Sequence, residues 1–468
     1  MNGLIGLALS GGGFRASLFH LGVMARLADE GLLKHVGVIS TVSGGSIIGA
    51  FYYQRLCEAL RNDRRLSDQD YRELIERLIV EFIAVVQDDM RDRVLYRAGS
   101  SRLIPKPVVQ GLTSIGVGES DVDSKLELVL RKLMFKSAMM SELMEPPAHS
   151  ANVKAELILN TSILENGKLL FISTNSASTL WEENERNHGI RAEDVISLPI
   201  AKAVAASACV PGLFNPIRIT VRDKVVHGVD GGVLDNIGGH AILSLGQERM
   251  QILLSDASKP LCTERYEEVN SVESFFRIQD IFMDAIRELR LQDTDADLIH
   301  MRHDIPGIDS KARELAMNMR TDLNSFSEVE AYSLMYTGYC ACDQEMSKLR
   351  KHDKGWQESV EKSVKDWVFM QVRPFMENPT PAYLALMGQK TKTRLPKSNL
   401  TWNRVLSFGY VLLYLALFVY IGVEQDFYKA IWYVGLIPLI IAALGGLLLL
   451  RRITKRKSKG TVAALHKL

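Results

Sequence analysis

Short apolar runs alternate with helical patterns over the first half of the chain. Runs rich in β-branched residues predict strands, and apolar residues spaced three and four apart predict amphipathic helices. The predicted strands are Ile5–Leu9, Val36–Val42, Glu156–Ser162, Lys168–Ile172, Ile217–Val226 and Gln251–Leu254. Predicted helices follow the first two strands directly. This alternation predicts an α/β layered fold with a mostly parallel sheet.

The pattern changes after the last predicted strand. Residues 271–346 have mostly helical periodicity, and prolines between 374 and 396 mark a linker. Two runs without charged residues follow, Val405–Val423 and Ile431–Leu450. At about 1.5 Å per residue, each run is near the ~30 Å thickness of the bilayer hydrocarbon. Because the break between them is short and both flanks are basic, we expect a transmembrane helical hairpin with cytoplasmic ends.

Composition narrows the class of protein further. A chain of 468 residues is long enough for two or three domains. Its formal net charge of +1 gives no reason to expect a nucleic-acid partner. Its five cysteines are odd in number and scattered, which argues against a disulfide framework and for a reducing compartment.

The first candidate for chemistry is Ser43, between a predicted strand and a predicted helix in Thr41-Val42-Ser43-Gly44-Gly45. A serine in such a tight turn projects at the helix N-terminus, and the Gly44 amide can point at an oxyanion. The match to G-x-S-x-G is partial, because Thr41 stands at the first glycine position. Ser46 is a competing nucleophile, although Ile48 then occupies the second glycine position. A Ser/Gly turn without a catalytic role is the remaining alternative.

A second glycine-rich turn, Ser10-Gly11-Gly12-Gly13-Phe14-Arg15, joins the first predicted strand to a helix. Its backbone N–H groups are suited to binding an anion. No Gly-Lys-Ser/Thr follows and G-x-G-x-x-G is not completed, so the P-loop and dinucleotide interpretations fail. We therefore predict an oxyanion hole at Gly11, Gly12 and Gly13, with Arg15 supplying positive charge.

The third element is Asp230, which precedes Gly231-Gly232 after a β-branched run. An aspartate here can be a turn residue that bonds its own backbone. It can also be a general base, provided that burial raises its pKa from the ordinary ~3.9.

Together the motifs GGGFR, TVSGG and DGG, in this order, resemble the patatin-like phospholipases. The block from Ala206 to Phe214 adds to the resemblance. It implies a three-layer patatin-like fold in which Ser43 is the nucleophile and Asp230 the activating base, without histidine, metal or cofactor. It also implies a lipid acyl hydrolase of phospholipase A or lysophospholipase type. The chain departs from the plant-type pattern at Thr41 and Ala16, although a bacterial branch has similar elbows.

The resemblance and the apolar runs together predict the organisation of the chain. We expect a catalytic core over 1–260 with a helical insertion at about 63–150, and a mostly helical part over 261–380. A basic linker over 381–404, the hairpin over 405–450 and a basic tail over 451–468 follow. The expected partners are membrane glycerolipids or lysolipids and the bilayer itself. The expected location is a bacterial inner membrane, with the catalytic domain and both termini in the cytoplasm.

Other functions stay open at this stage. A Ser-His-Asp carboxylesterase would use His240, His300 or His303 as the third residue, since these follow the acid in the chain. An acyltransferase would use the same acyl-enzyme, and a membrane scaffold would keep the fold without turnover. His20 lies in a predicted helix, where a structural role is expected.

Overall fold

The structure is a computed structural model that describes residues 5–61, 65–87, 125–144, 155–222, 224–246, 250–261, 271–292, 294, 296–321, 323, 325–352 and 366–388. The chain divides into two units, Met1–Leu384 and Ala385–Leu468. Of the second unit, the structure describes only residues 385–388.

A mixed β-sheet forms the centre of the unit. Its strands in the described residues are β1 (Ile5–Leu9), β2 (Val36–Thr41), β3 (Glu156–Ile163), β4 (Lys168–Ser173), β5 (Ile217–Val221), β6 (Lys224–Asp230), β7 (Gln251–Asp256) and β8 (Asp297–His300). Their order is β5-β6-β3-β2-β1-β7-β8, and β4 pairs with β3. The α/β class is as predicted.

The expectation of a mostly parallel sheet is wrong for one half of it. Strands β3, β2, β1, β7 and β8 are parallel neighbours, whereas β4, β5 and β6 join by antiparallel pairing. Two of the three antiparallel pairings arise from tight connections, since a hairpin turn reverses the chain within a few residues. One follows the predicted Asn166-Gly167 signal, and the other interrupts the apolar run 217–226 at Arg222, whose φ is 52°. The third pairing joins β3 to β6, which lie far apart in the chain.

The described helices cover the sheet and extend beyond it. They are α1 (Gly13–Asp29), α2 (Gly44–Leu60), α3 (Asp68–Gln87), α4 (Lys125–Leu130), α5 (Ser141–Met144), α6 (Leu180–His188), α7 (Ala192–Val195), α8 (Ile200–Ala208), α9 (Gly239–Ser244), α10 (Ser271–Gln292), α11 (Ser310–Met317), α12 (Glu328–His352), α13 (Arg373–Glu377) and α14 (Pro381–Gly388). Short 3₁₀ turns lie at Leu33–His35, Gly231–Val233 and Val368–Val372, and a π-helical turn at Arg131–Phe135.

Helix α1 lies between α2, α3 and α12, and every residue from Phe14 to Asp29 is buried. Its polar residues therefore need partners inside the protein. Arg26 donates to Tyr339 and pairs with Glu30 and Asp343. Asp29 accepts hydrogen bonds from Tyr339 and Trp367. These contacts hold α12 and the segment around Trp367 against α1.

Several predicted features lie outside the described residues. They include the middle of the insertion, 88–124, and all of 389–468, which contains most of the basic linker, the hairpin over 405–450 and the basic tail. Among the helices that are described, none combines the length and the apolar character needed to cross a bilayer.

Candidate active site

Ser43 occupies a sharp turn between β2 and α2, with φ 51° and ψ −117°. Holding a non-glycine residue in such a conformation costs on the order of 1–3 kcal/mol and needs support from its surroundings. A Cβ atom on Gly44 would lie 2.1 Å from the Gly13 carbonyl oxygen, and one on Gly45 would lie 2.2 Å from that of Leu9. The two glycines after Ser43 are therefore required by close packing, and the predicted strained elbow is confirmed.

Strand pairing brings Asp230 to this elbow. Strands β2 and β6 share one edge of β3, with Thr41 opposite Leu159 and Asp230 opposite Thr161. Because β2 is parallel to β3 and β6 is antiparallel to it, the C-terminal ends of β2 and β6 point towards each other. Ser43 and Asp230 consequently meet where the two strands end.

The Asp230 carboxylate is buried, and burial raises its pKa to about 6. Hydrogen bonding by the Ser43 side chain and by the Gly232 N–H lowers the pKa of Asp230 and so offsets part of this rise. Oδ1 accepts the Gly232 N–H at 2.8 Å. Oδ2 is buried and receives no hydrogen bond of ordinary geometry from the described residues, although the Ser43 hydroxyl is close enough to lower the pKa. One carboxylate oxygen is thus held by the turn while the other is available to a proton.

Three main-chain amides of the two glycine-rich turns are the candidates for an oxyanion hole. Within the described chain, the N–H groups of Gly12, Gly13 and Gly44 donate to no protein acceptor. Gly13 and Gly44 begin α1 and α2, so two helix N-termini meet here and favour negative charge. The prediction for Gly11 is wrong, because its N–H donates to the Asn236 carbonyl oxygen at 2.9 Å.

The structure also corrects the role expected of Arg15. Its guanidinium group is buried and donates to the carbonyl oxygens of Ala257, Met317 and Met319. Burial lowers the pKa of Arg15 to about 10. With these acceptors, Arg15 joins the glycine loop to two other segments and does not present its donors to an oxyanion.

Residues 7–241 match the patatin-like phospholipase family. This chain belongs to that family. The matched region contains the elbow, the glycine loop and Asp230. Members of the family are lipid acyl hydrolases that act on lipid substrates. The expectation of a hydrolase that acts on lipid esters is therefore confirmed.

The similar solved structures include the crystal structure of VipD from Legionella pneumophila. It is 16% identical in sequence, the match covers 74% of this chain and 67% of that chain, and the TM-score is 0.35. None of the curated proteins matches the chain.

The patatin-like domain contains a hydrogen-bond network behind the elbow that the motifs alone did not reveal. The hydroxyl of Ser207 donates to the Asn160 carbonyl oxygen at 2.6 Å, and the Asn160 amide donates to the Thr41 carbonyl oxygen at 2.9 Å. Ser207 lies in the block from Ala206 to Phe214, which resembled the family without indicating a role for any residue. The network fixes the backbone on both sides of Ser43.

Asn236 is a second residue that sequence reasoning missed. Besides accepting the Gly11 N–H, it lies so close that Cβ atoms on Gly11 and Gly232 would be 2.3 Å and 2.6 Å from its Oδ1. The neighbouring Asp235 accepts the N–H groups of Ile237 and Gly238 and so holds this loop. The only sequence signal is an Asp-Asn pair that follows the DGG turn after two apolar residues.

The competing nucleophile has a different environment. Ser46 lies within α2 and is completely buried, with its Oγ 2.9 Å from Thr41 Oγ1 and 2.8 Å from Ser207 Oγ. Its hydroxyl is therefore part of the network behind the elbow. Thr41, which replaces the usual glycine, also donates to the Ile158 carbonyl oxygen at 3.0 Å. This substitution is accommodated by hydrogen bonding.

No histidine hydrogen-bonds to Ser43 or Asp230 in the part of the chain that is described. His20 has a structural environment, as expected: its ring nitrogens contact Ser10 and Ser255, and burial lowers its pKa to about 4. His240 contacts Arg290. The His300 and His303 rings pack edge to face with 4.7 Å between ring centroids.

Proposed function

We propose that the protein hydrolyses carboxyl esters of glycerolipids, with Ser43 as nucleophile and Asp230 as general base. The observation that carries this proposal is the buried Asp230 carboxylate beside the strained Ser43, with one oxygen held by Gly232. A base with a pKa of about 6 is ionised at neutral pH and is still a better proton acceptor than an ordinary aspartate.

In the first half-reaction, Ser43 Oγ attacks the ester carbonyl carbon and its proton passes to Asp230. The carbonyl electron pair moves to oxygen, and the amides of Gly12, Gly13 and Gly44 stabilise this oxyanion. An oxyanion-hole donor is typically worth about 10²–10³ in kcat. When the tetrahedral intermediate collapses, the C–O bond to the alcohol breaks and the alcohol takes the proton from Asp230. An acyl-Ser43 ester remains.

In the second half-reaction, water attacks the acyl-enzyme and gives its proton to Asp230. The second oxyanion occupies the same three amides, and its collapse releases the fatty acid and returns the proton to Ser43 Oγ. Asp230 therefore acts as base in each attack and as acid in each collapse, so that protons balance over the cycle.

The proposal includes a substrate class and a location. The substrates are membrane glycerolipids or lysolipids, cleaved in the manner of a phospholipase A or a lysophospholipase. The apolar runs within 405–450 anchor the protein as a hairpin in a bacterial inner membrane, with the catalytic domain and both termini in the cytoplasm. Support for the anchor is the length, the lack of charge and the basic flanks of these runs in the sequence.

The decisive experiment compares Ser43→Ala with Ser46→Ala in the full chain. We expect Ser43→Ala to abolish both ester hydrolysis and labelling by a fluorophosphonate, because the nucleophilic hydroxyl is gone. Ser46→Ala should keep the labelling, since its hydroxyl only joins the network behind the elbow. Labelling that persists in Ser43→Ala and disappears in Ser46→Ala would assign the nucleophile to α2 and refute the proposal. Comparison of lipid extracts from cells expressing wild type or Ser43→Ala would identify the lipid that is consumed.

A further inference from the structure

The side chain of Asn236 lies between the two turns that carry Ser43 and Asp230. A Cβ atom added to Gly11 would be 2.3 Å from Asn236 Oδ1 and 3.2 Å from Ser43 Cβ. A Cβ atom added to Gly232 would be 2.6 Å from the same oxygen and 3.0 Å from Asp230 Oδ1. One carboxamide group thus borders both members of the proposed dyad.

The contacts of Oδ1 indicate the direction of the amide nitrogen. Oδ1 packs against the two glycines, where Cα–H groups suit an oxygen atom. The Cβ position on Gly11 is 2.3 Å from Oδ1 and 3.4 Å from Cγ of Asn236, and Nδ2 is farther from it than Cγ. Because Oδ1 and Nδ2 diverge from Cγ, the two N–H donors of Asn236 are directed away from the glycines.

Other groups than this carboxamide hold the loop that contains it. Asp235 accepts the N–H groups of Ile237 and Gly238, and the main-chain carbonyl oxygen of Asn236 accepts the Gly11 N–H at 2.9 Å. Among the described residues, none forms a hydrogen bond with the side chain of Asn236. An amide that is only 9% exposed is normally hydrogen-bonded to protein or to water. Its donors are therefore available to a molecule that enters the site.

The second half-reaction requires a donor at this place. The attacking water must turn its oxygen to the acyl carbon and one proton to Asp230 Oδ2, which is buried and receives no hydrogen bond of ordinary geometry from the described residues. A carboxylate oxygen fixes only one hydrogen of the water, so the water can still rotate about that bond. A neighbouring N–H group that binds the water oxygen removes this freedom. The first half-reaction has no such need, because Ser43 is held by the chain.

We propose that Asn236 Nδ2 donates a hydrogen bond to the water that hydrolyses the acyl-enzyme. This inference rests on the proposed function, because the water attacks an acyl ester of Ser43. The water oxygen forms the new C–O bond, its proton passes to Asp230, and the carbonyl electron pair moves to the oxyanion. Collapse breaks the C–O bond to Ser43 Oγ, which takes the proton back from Asp230. Asn236 transfers no proton and acts by orienting the water.

The test separates the two half-reactions with a soluble p-nitrophenyl ester and the full chain. The burst of p-nitrophenol in the first turnover measures acylation, and the following steady state measures deacylation. Asn236→Ala should keep the burst rate and lower the steady-state rate by about 10–100-fold, because only the water loses its orientation. KM should fall together with kcat, so that kcat/KM stays unchanged. The acyl group should then accumulate on the protein and appear in intact mass spectra.

Three controls accompany this variant. Asn187→Ala removes the carboxamide of a partly buried asparagine on α6, and both phases should equal those of wild type. Hydroxylamine attacks an acyl ester without a general base, so it should release the acyl group from Asn236→Ala as fast as from wild type. Labelling by a fluorophosphonate at the wild-type rate would show that the Ser43 elbow is intact.

Asn236→Asp carries the test if Asn236→Ala does not fold. It has the shape of asparagine but lacks both N–H donors. The two phases are measured at pH 8, above the pKa of about 6 of Asp230, so that the base stays ionised beside the added charge. Asn236→Asp should show the same slow steady state after a burst.

The outcomes distinguish this inference from the proposed function. A burst slowed as much as the steady state would show that Asn236 supports both half-reactions, and an unchanged steady state would show that it supports neither. Either result overturns the role in water binding while the hydrolase proposal stands. A wild-type protein that gives neither turnover nor labelling of Ser43 would refute the hydrolase proposal, and with it the acyl-enzyme on which Asn236 acts.

Discussion

The main-chain N–H of Ser43 lies within hydrogen-bonding distance of both oxygens of Ser207, 3.1 Å from the carbonyl and 3.2 Å from the hydroxyl. Ser207 is the penultimate residue of α8. The same hydroxyl donates to the Asn160 carbonyl on β3, so the strained elbow is supported by a helix and a strand at once. The block from Ala206 to Phe214 thus contributes to the site by holding Ser43 rather than by contacting the ester.

The first prediction concerns this support. Ser207→Ala removes the hydroxyl that donates to the buried Asn160 carbonyl oxygen, which costs about 1–3 kcal/mol. We expect a lower unfolding midpoint in urea and a lower kcat, with a smaller change in KM, because the elbow relaxes away from its reactive geometry. Ser207→Thr, which keeps the hydroxyl, should recover part of the kcat. A stability loss without any change in kcat would mean that the network serves folding alone.

The second prediction concerns the base. Asp230→Asn preserves shape but cannot accept a proton, so turnover should fall by about 10²–10⁴-fold. In wild type, kcat/KM should rise with pH through an apparent pKa of about 6, since the protonated carboxyl present below that pH cannot act as a base. A steady-state pH profile measures this limb. Activity independent of pH between 5 and 7 in wild type would assign another base.

The third prediction separates a dyad from a triad. His240→Ala, His300→Ala and His303→Ala should each keep most of the wild-type esterase activity, because none of these side chains hydrogen-bonds to Ser43 or Asp230 in the described structure. Loss of one residue from a Ser-His-Asp triad costs several orders of magnitude. A single histidine variant with such a loss would identify the third residue and replace the dyad mechanism.

The sequence predicted the positions of most strands but missed β8, which lies in a stretch expected to be helical, and the break between β5 and β6. The strand Ile5–Leu9 has the predicted ends, and the Asn166-Gly167 turn joins β3 to β4 as expected. The run 217–226, however, contains two strands, because Arg222 takes a left-handed conformation in an apolar pattern that shows no break. Periodicity reports burial but not the direction in which a buried strand runs.

Among the site residues, the motifs located Ser43 and Asp230 but not the partners of the amides around them. Gly11 and Gly12 look alike in the sequence, yet only Gly11 donates to Asn236, which lies more than 200 residues away. Arg15 likewise finds its acceptors at Ala257, Met317 and Met319. Such long-range contacts depend on the completed fold, so no local pattern indicates which donor remains free.

The fourth prediction concerns the ion pair that fastens α10 to β7. Burial alone would raise the pKa of Asp256. Nearby charges and hydrogen bonds outweigh burial and lower this pKa below its usual value, and Arg287 makes the largest of these contributions. Arg287→Leu leaves a buried carboxylate without its partner, which costs about 3–5 kcal/mol. Urea unfolding at pH 7 should show this loss.

The pH dependence of that loss follows from the direction of the shift. A carboxyl whose pKa is lowered by folding contributes stability above its unfolded pKa of ~3.9, and that contribution disappears as pH falls through the lower folded value. Without Arg287, burial raises the pKa of Asp256. The difference between wild type and Arg287→Leu should therefore be largest at pH 7 and shrink as pH falls through the raised pKa of the variant towards the lowered pKa of wild type. A difference that is constant from pH 7 to pH 3 would show that Arg287 acts through packing alone.

The last prediction concerns the region after the described domain. Deletion of 398–468 should give a protein that hydrolyses dispersed short-chain esters like the full chain but acts far more slowly on bilayer lipids. The reason is that Ser43, Asp230 and the glycine loop all precede Asp256, so chemistry and anchoring are separable in the chain. Confinement to a membrane raises the effective concentration of substrate without adding a contact to the ester. Both activities are measured on the two purified proteins at matched concentration.

Salt provides the control for this deletion. Without the apolar runs, binding to anionic vesicles relies on surface charge, and this attraction weakens as ionic strength rises. The deleted protein should therefore lose vesicle activity between low and physiological salt, while the full chain should change little if the proposed hairpin anchors it. Equal bilayer activity with and without 398–468 would refute the anchor. Loss of short-chain activity on deletion would instead mean that these residues complete the catalytic fold, because soluble esters need no membrane to reach Ser43.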